Sequence, residues 1–308
     1  MRSEENTLNN SAIHTNSLTK FYGRQRGVLD VSIKVQQGEV FGYLGPNGAG
    51  KTTTIRTLLD FIRPTRGSAT IFGMDTRQHS REIRQRVGYL AGELALYENL
   101  TGAELLCYAS HLRGDVEWRF VEELAARLEC DLSQSIRSLS HGNKQKIGLI
   151  QAFMHKPDLL ILDEPTLGLD PLMQQEFYRL IAEVKAEGRT VFLSSHILPE
   201  VERICNHVGI IREGRVIAIE NVETLKARAL RRLEIHFATL VSQEAFADVA
   251  GVRDVTVEDT VLRCTVVGSL DALIKAAARF KVINVITHEP SLEEIFLAYY
   301  GGSGNHAT

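Results

Sequence analysis

The sequence predicts a two-domain α/β protein with a helical insertion in its first domain. Short, wholly apolar segments, such as residues 159–162 (LLIL), alternate with helical segments, as in a parallel sheet covered by helices. From residue 101 to about 154, apolar residues instead recur at helical spacing. After about residue 231, strands and helices follow the order β-α-β-β-α-β, which suggests a small α+β ferredoxin-like domain with an extra helix.

Element by element, the patterns predict a connected series along the chain. In the first domain the strands are residues 28–35, 39–44, 68–72, 87–90, 159–162 and 190–194, the helices are 53–61, 102–113, 116–128, 144–154 and 172–186, and a hairpin covers 209–218. In the second domain the strands are 233–237, 252–257, 261–267 and 282–287, and the helices are 243–249, 270–280 and 291–299. We expect flexible tails at 1–14 and 303–308, a first domain at 15–222 with a helical subdomain at about 94–156, a linker at 223–231 and a second domain at 232–302.

Composition excludes several classes of protein. The 308 residues suffice for two domains, and 44% are hydrophobic, as in an ordinary globular protein. No run approaches the roughly 20 apolar residues that span a bilayer, and the polar start lacks the apolar core of a secretory signal. A net charge of −3 offers no electrostatic footprint for nucleic acid. The four cysteines are isolated, which predicts reduced thiols rather than a metal site.

A glycine-rich segment between a predicted strand and a predicted helix matches the phosphate-binding pattern G-x-x-x-x-G-K-[ST]. Its glycines let backbone N–H groups face a polyphosphate, and the following helix directs its positive end toward the same anion. A lysine supplies charge to the outer phosphates, and a threonine hydroxyl suits Mg²⁺. The segment therefore predicts a nucleoside triphosphate site formed by Gly45, Pro46, Asn47, Gly48, Ala49, Gly50, Lys51, Thr52 and Thr53.

Four further features follow along the chain. The strand LLIL ends in Asp163 and Glu164, which point to opposite sides, so Asp163 suits Mg²⁺ and Glu164 is free to act on a water molecule. Ser140 and Gly142 precede a helix, whose N-terminus is another anion site. His196 follows the strand VFLSS, and residues 167–171 (LGLDP) complete the set.

Together, over roughly residues 16–220, these features resemble the ATP-binding subunit of an ABC transporter. The C-terminal segment EPSLEEIFLAYYGG looks like the tail of exporter ATPases whose membrane subunit is a separate chain. The resemblance implies an ATPase that hydrolyses ATP with Mg²⁺ and so powers export through a separate transmembrane permease. The ATPase would be a peripheral subunit on the cytoplasmic side of the cell membrane. The subunits would pair as a homodimer or as a heterodimer with a related ATPase.

The resemblance also implies a role for each matching residue. Tyr22 would stack on adenine, Thr52 and Asp163 would bind Mg²⁺, Glu164 would be the general base and His196 would contact the γ-phosphate. The residues that would act in trans, on ATP held by the other subunit or near its site, are Ser140, Gly142, Asn143 and Asp170.

Three segments depart from the family pattern. The signature reads LSHGN where LSGGQ is usual, and Leu167 stands where a serine is common. After Gly88-Tyr89-Leu90, the family has Pro-Gln, whose glutamine reaches the metal, but this chain has Ala91-Gly92. Glu93, the next residue, could replace that glutamine through a water molecule.

Three alternatives remain at this stage. A soluble ABC ATPase of translation or DNA repair would carry two cassettes, long coiled coils or zinc fingers. A phosphate-loop GTPase would carry N-K-x-D, whereas residues 143–146 read NKQK. A regulatory ATP-binding module would have lost chemical residues, but Lys51, Asp163, Glu164 and His196 are all in place.

Overall fold

The computed structural model describes residues 11–114, 116–224 and 230–288. The chain divides into two compact units, residues 1–220 and 221–308. The sequence had suggested a division after residue 222. No helix in the described part of the chain is both long enough and apolar enough to cross a membrane.

A six-stranded, mainly parallel sheet forms the centre of the first unit, in the order β11-β10-β4-β9-β8-β7. The three strands β4, β8 and β9 are buried at every position, which explains their continuous apolar sequences. The strand bounds are Val40–Leu44 (β4), Val87–Leu90 (β7), Leu159–Asp163 (β8), Thr190–Ser195 (β9), His207–Arg212 (β10) and Arg215–Asn221 (β11).

An antiparallel sheet packs over one face of the central sheet. Its order is β2-β1-β5-β6, and β3 also pairs with β1. The core between the two sheets includes Ile13, Ile55 and the stacked rings of Phe41 and Phe192, 5.8 Å apart. The strands are Ser11–Tyr22 (β1), Gln25–Val31 (β2), Lys34–Gln36 (β3), Arg66–Ile71 (β5) and Met74–Asp75 (β6).

Helices complete the first unit. The helical insertion shares one hydrophobic core with the central sheet, in which Leu106, Leu124 and Ile147 join Leu160 and Leu193. The helices are Lys51–Leu58 (α1), Ser80–Arg86 (α2), Gly102–Arg113 (α3), Trp118–Arg127 (α4), His141–Phe153 (α5), Pro171–Ala186 (α6) and Leu198–Ile204 (α7).

Over its described residues, the second unit contains a four-stranded antiparallel sheet and two short helices, α8 and α9. The strands lie in the order β13-β14-β12-β15. Its core contains the mutually packed rings of Phe237, Phe246 and Phe280, with centroids 5.7 Å apart in each pair. The elements are Leu230–Phe237 (β12), Glu244–Ala247 (α8), Val252–Glu258 (β13), Val261–Val267 (β14), Asp271–Ala277 (α9) and Val282–His288 (β15). The predicted helix at 291–299 lies outside the described residues.

The N-terminal part of the first unit corrects two predictions. The flexible tail expected at 1–14 was wrong for residues 11–14, because β1 begins at Ser11 and its first three residues are buried. The single strand expected at 28–35 is two strands, β2 and β3, which both pair with β1. Periodicity missed β1 because its pairing contains register shifts and its residue Ser17 has a positive φ of 48°.

Two helices begin earlier than expected, for reasons visible at their caps. Helix α1 begins at Lys51 rather than Thr53, directly after Gly50 in the left-handed region with φ 110°. Helix α5 begins at His141 rather than Lys144, because the Ser140 hydroxyl caps it by accepting a bond from the Asn143 N–H.

Candidate functional site

The phosphate-binding pattern forms the connection between β4 and α1. Gly45 is required there by close approach, since a Cβ atom at this position would lie 2.3 Å from the carbonyl oxygen of Ile211. The N–H of Gly45 donates to the carbonyl of Ser195 at 3.1 Å. The loop is therefore held between β10 and the end of β9, where its N–H groups and the N-terminus of α1 can meet an anion.

Lys51 places a nearly buried ammonium group over this loop. Its side chain is 6% exposed, and Nζ donates to the carbonyl of Gly45 at 2.6 Å. The same Nζ lies 3.0 Å from Oε1 of Glu164. The lysine thus joins the phosphate loop to the end of β8.

Asp163 is fully buried at the end of β8, with both carboxylate oxygens hydrogen-bonded. Thr52 Oγ1 donates to Oδ2 at 2.7 Å, and Ser194 Oγ donates to Oδ1 at 2.5 Å. Ser194 is the register partner of Asp163 on β9, so the sheet itself brings these side chains together. Burial, followed by the charge of Asp163, raises the pKa of neighbouring Tyr89 to about 12.

Glu164 lies between the side chains of Lys51 and His196. Its φ of 51° is in the left-handed region, and its N–H is bonded to the carbonyl and hydroxyl oxygens of Ser194. Oε1 faces Lys51, and Oε2 lies 2.8 Å from Nδ1 of His196. Lys51, Glu164 and His196 therefore meet at one place, and the carboxylate of Glu164 is a group that can accept a proton there.

A cleft of about 430 Å³ opens beside these residues. Tyr22, 46% exposed, contributes its ring to the cleft, and Lys20 Nζ lies 5.3 Å from the ring centroid. The lining residues are Tyr22, Gln25, Arg26, Gly27, Asn47, Gly48, Gly50, Lys51, Thr52, Thr53 and Glu164. Sequence reasoning missed residues 25–27, which match no motif and line the cleft because the start of β2 lies beside the phosphate loop.

The signature segment contacts the loop after β8 rather than the cleft. A Cβ atom at Gly142 would lie 2.5 Å from the carbonyl oxygen of Gly168, so the two segments meet closely. Asp170 caps α6 by accepting bonds from two backbone N–H groups. Ser140, Gly142, Asn143 and Asp170 are all absent from the cleft's lining.

A buried amide on α5 was also missed by sequence reasoning. Gln145, 1% exposed, donates through Nε2 to the carbonyls of Pro165 and Glu164, at 3.0 and 3.3 Å. The only signal in the sequence was a glutamine on the apolar face of a helix. Its bonds connect the signature helix to the loop that carries Glu164.

Gly92 and Glu93 differ in their relation to Asp163. A Cβ atom at Gly92 would lie 3.2 Å from Oδ2 of Asp163, so this position faces the carboxylate without a side chain. Glu93 is exposed, and no hydrogen bond or ion pair within the described ranges joins it to Thr52 or Asp163. Within the described residues, Glu93 therefore has no contact with either side chain that would bind the metal, so its expected role at the metal stays a prediction.

The donor set suits Mg²⁺ bound together with a nucleotide. Among the residues that the structure describes, no group of three or more His, Cys, Asp or Glu side chains could hold a metal ion. One hydroxyl and one carboxylate, Thr52 and Asp163, meet at the start of α1. Mg²⁺ typically takes one or two protein oxygens and completes its octahedron with water and phosphate oxygens. A phosphate-binding loop beside such a pair and a bridging glutamate defines the class of phosphate-loop nucleoside triphosphatases.

Comparisons with known proteins identify the family. A family model described as "ABC transporter" matches residues 28–167. The chain is 37% identical over 301 residues to the bacitracin transport ATP-binding protein BcrA of Bacillus licheniformis, covering 94% of this chain and 97% of that protein. It is 32% identical over 305 residues to the linearmycin resistance ATP-binding protein LnrL of Bacillus subtilis (strain 168), covering 94% and 98%. A solved structure of the ATP binding subunit of an ABC transporter matches with a TM-score of 0.65 at 35% identity, covering 70% of this chain and 92% of that chain.

The chain therefore belongs to the ABC transporter family. It is an ATP-hydrolysing subunit, and its first unit has the phosphate-loop ABC ATPase fold. The predictions of family, ATP binding and ATPase activity are confirmed, and the alternative of a soluble or regulatory ATPase is not favoured.

Proposed function

We propose that this subunit binds ATP with Mg²⁺, pairs with a second ATP-binding subunit, and powers a separate permease that exports an antimicrobial compound. The observation that carries the proposal is the position of Glu164, which lies between Lys51 and His196 and directly follows Asp163. This arrangement supports the role of Glu164 as a general base beside the outer phosphate of a nucleotide bound at the phosphate loop.

Hydrolysis then follows from the chain's own residues. Glu164 accepts a proton from a water molecule as the water oxygen bonds to the γ-phosphorus, and the bond to the β–γ bridging oxygen breaks to leave ADP and phosphate. Lys51 and the N–H groups of the phosphate loop stabilise the charge that spreads over the phosphate oxygens. His196 orients the carboxylate and contacts the γ-phosphate.

Thr52 and Asp163 are the residues that would hold Mg²⁺. Their two oxygens lie 2.7 Å apart next to the phosphate loop, and both are the hard oxygen ligands that this ion prefers. When bound, Mg²⁺ neutralises charge on the phosphate oxygens.

Pairing of two subunits accounts for the signature residues. Ser140, Gly142, Asn143 and Asp170 do not line the cleft of their own chain. Ser140 nevertheless caps a 13-residue helix whose N-terminus suits an anion. ATP held by a second copy, or by a related subunit, would supply that anion.

The permease would contact the helical insertion and the adjoining loop. Tyr97, Tyr108 and Leu112 are 62%, 49% and 70% exposed, and the two tyrosine rings lie 6.2 Å apart at nearly right angles. An exposed apolar patch of this kind is typical of an interaction site. The subunit would then be peripheral to the cell membrane on its cytoplasmic side.

The proposal also includes the class of the exported compound and the fold of the second unit. The full-length relatives are named for bacitracin transport and linearmycin resistance, which supports export of an antibiotic. The second unit is proposed to be ferredoxin-like, as its β-α-β-β-α-β order and its strand order β13-β14-β12-β15 support.

Deletion of the gene in its own host tests the transport proposal. We expect greater susceptibility to bacitracin or linearmycin, restored by the wild-type gene but not by Glu164→Gln. Unchanged susceptibility to both compounds, with the protein absent from washed membranes, would contradict the transport role. The ATPase rate of the purified protein, measured separately, would still test the hydrolytic role.

A further inference from the structure

A second buried carboxyl group lies close to the site, and the mechanism above does not use it. Glu200 is in the first turn of α7, directly after the loop that carries His196, and is 3% exposed. Buried acidic side chains are rare unless they are paired. We therefore expect the contacts of Glu200 to indicate its role.

Glu200 is bonded to the residue that precedes His196. Ser195 Oγ donates to Oε2 of Glu200 at 2.5 Å, and both side chains are buried. The same hydroxyl oxygen accepts a bond from the N–H of Ile197 at 2.9 Å. The Ser195 hydroxyl thus fixes the backbone on both sides of His196.

Ser195 also connects this loop to the phosphate loop. Its carbonyl oxygen accepts the 3.1 Å bond from the N–H of Gly45. One residue therefore fixes the start of the phosphate loop and the backbone that carries the His196 imidazole. That imidazole in turn lies 2.8 Å from Glu164.

We propose that Glu200 is a positioning residue for hydrolysis, which acts through the Ser195 hydroxyl to hold His196 against Glu164. It touches neither the nucleotide cleft nor the reacting atoms. Loss of its carboxyl would free the Ser195 hydroxyl to rotate, and the imidazole would move relative to the general base. This inference depends on the hydrolytic roles proposed for Glu164 and His196.

The surroundings of Glu200 favour its neutral form. Oε1 is buried and has no hydrogen-bond partner among the described residues. Burial raises the pKa of Glu200, and the nearby charge of Glu164 also raises it. Hydrogen bonds from Ser195 and Thr166, and the nearby His196, lower this pKa by less than burial raises it. An amide has the same shape as this carboxyl group and can accept the bond from Ser195, so glutamine should replace Glu200.

The test uses the purified full-length chain and measures kcat, KM for ATP and Tm. We expect Glu200→Ala and Ser195→Ala each to lower kcat about tenfold, since small displacements of catalytic groups have large effects. KM should change by less than about twofold, because the cleft is untouched. Glu200→Gln should keep kcat within about threefold, as its amide oxygen can accept the Ser195 bond. Because both residues act through one bond, the double Ala variant should lose no more than the larger single effect.

Glu39 provides the matched control. It is a buried acid before β4, at the other end of the sheet, bonded to the N–H of Gln36 at 2.7 Å and to His207 at 2.5 Å. Glu39→Ala should lower Tm but keep kcat within about twofold of wild type at an assay temperature well below its Tm. If Glu200→Ala lowers Tm as Glu39→Ala does but keeps kcat within about twofold of wild type, the proposal is wrong.

Two further results separate the possible failures. Multiplicative losses in the double variant would show that Glu200 and Ser195 act independently, which overturns the proposal. Full turnover in His196→Ala would overturn it together with the role of the histidine. Should Glu200→Ala not fold, Ser195→Ala and Glu200→Gln decide the matter alone, and normal kcat in Ser195→Ala refutes the inference.

Discussion

Replacement of Glu164 by glutamine tests the assignment of the general base. The amide has the same shape, so it can remain near His196 Nδ1, 2.8 Å away in the wild-type protein. What it loses is the ability to accept a proton from water. Removal of a general base typically lowers a rate about 10²–10⁴-fold, which corresponds to roughly 2.7–5.4 kcal/mol of activation free energy.

The same substitution should leave ATP binding intact or strengthen it. Lys51 Nζ lies 3.0 Å from Oε1 of Glu164, and the two side chains are only 6% and 16% exposed. The carboxylate therefore competes with phosphate oxygens for the ammonium group, and its negative charge repels them. With a neutral amide, that competition and that repulsion weaken.

Phosphate release and nucleotide binding should be measured on the same purified variant. We expect little turnover, an unchanged or lower Kd for ATP with Mg²⁺, and an ATP-dependent dimer in size-exclusion chromatography. Glu187→Gln is the control, because Glu187 is 55% exposed and pairs with Arg189 on the surface away from the cleft. Turnover of Glu164→Gln near that of the control would refute the assignment.

Three further predictions concern the cleft and the stability of the first unit. Tyr22→Ala should weaken ATP binding by about 1–3 kcal/mol, the usual contribution of a stacked base. Tyr22→Phe keeps the ring and should not weaken binding. The Kd of a fluorescent ATP analogue measures both effects. Gly45→Ala should abolish nucleotide binding in equilibrium dialysis, since its Cβ would lie 2.3 Å from the carbonyl oxygen of Ile211. Burial, helped by the charge of Arg113, lowers the pKa of His155 to about 4. The unfolded chain therefore binds a proton at higher pH than the folded chain, and stability should fall as the pH drops from about 6.5 toward 4; Tm against pH should be flatter for His155→Gln.

Each of these has a contradicting outcome. Equal Kd values for Tyr22→Ala and Tyr22→Phe would mean that the ring does not contact the base. Normal binding by Gly45→Ala would mean that the loop can move away from β10 without loss of its anion site. Identical Tm profiles for wild type and His155→Gln between these pH values would exclude His155 as the group whose protonation matters.

The sequence predicted the parts of the site that depend on local patterns. The phosphate loop needs closely spaced glycines and a lysine, and Asp163 follows a strand whose apolar residues mark it as buried. Continuous apolar segments likewise predicted the buried parallel strands at the centre of the sheet. The N-terminal strand β1 was not, because its register shifts break the alternation on which prediction depends.

The network behind the site could not be read in this way. Ser194 and Ser195 end a strand and look unremarkable in sequence, but their hydroxyls reach Asp163 and Glu200. Gln145 reaches the Glu164 loop from nineteen residues away. These contacts depend on which strands and helices become neighbours, and one sequence gives no direct measure of that. Glu93 is the opposite case. It follows the position where the family has a metal-contacting glutamine, but within the described residues it has no hydrogen bond or ion pair with Thr52 or Asp163.

The close approach of Gly142 to Gly168 has a consequence for how two subunits recognise each other. The carbonyl oxygen of Gly168 occupies the space that a Cβ atom at Gly142 would need, so any side chain at position 142 would push the two segments apart. In the proposed pair of subunits, such a change would displace both the helix N-terminus that Ser140 caps and the turn that leads into Asp170. Related subunits are therefore expected to diverge at the residues around these two glycines and not at the glycines themselves.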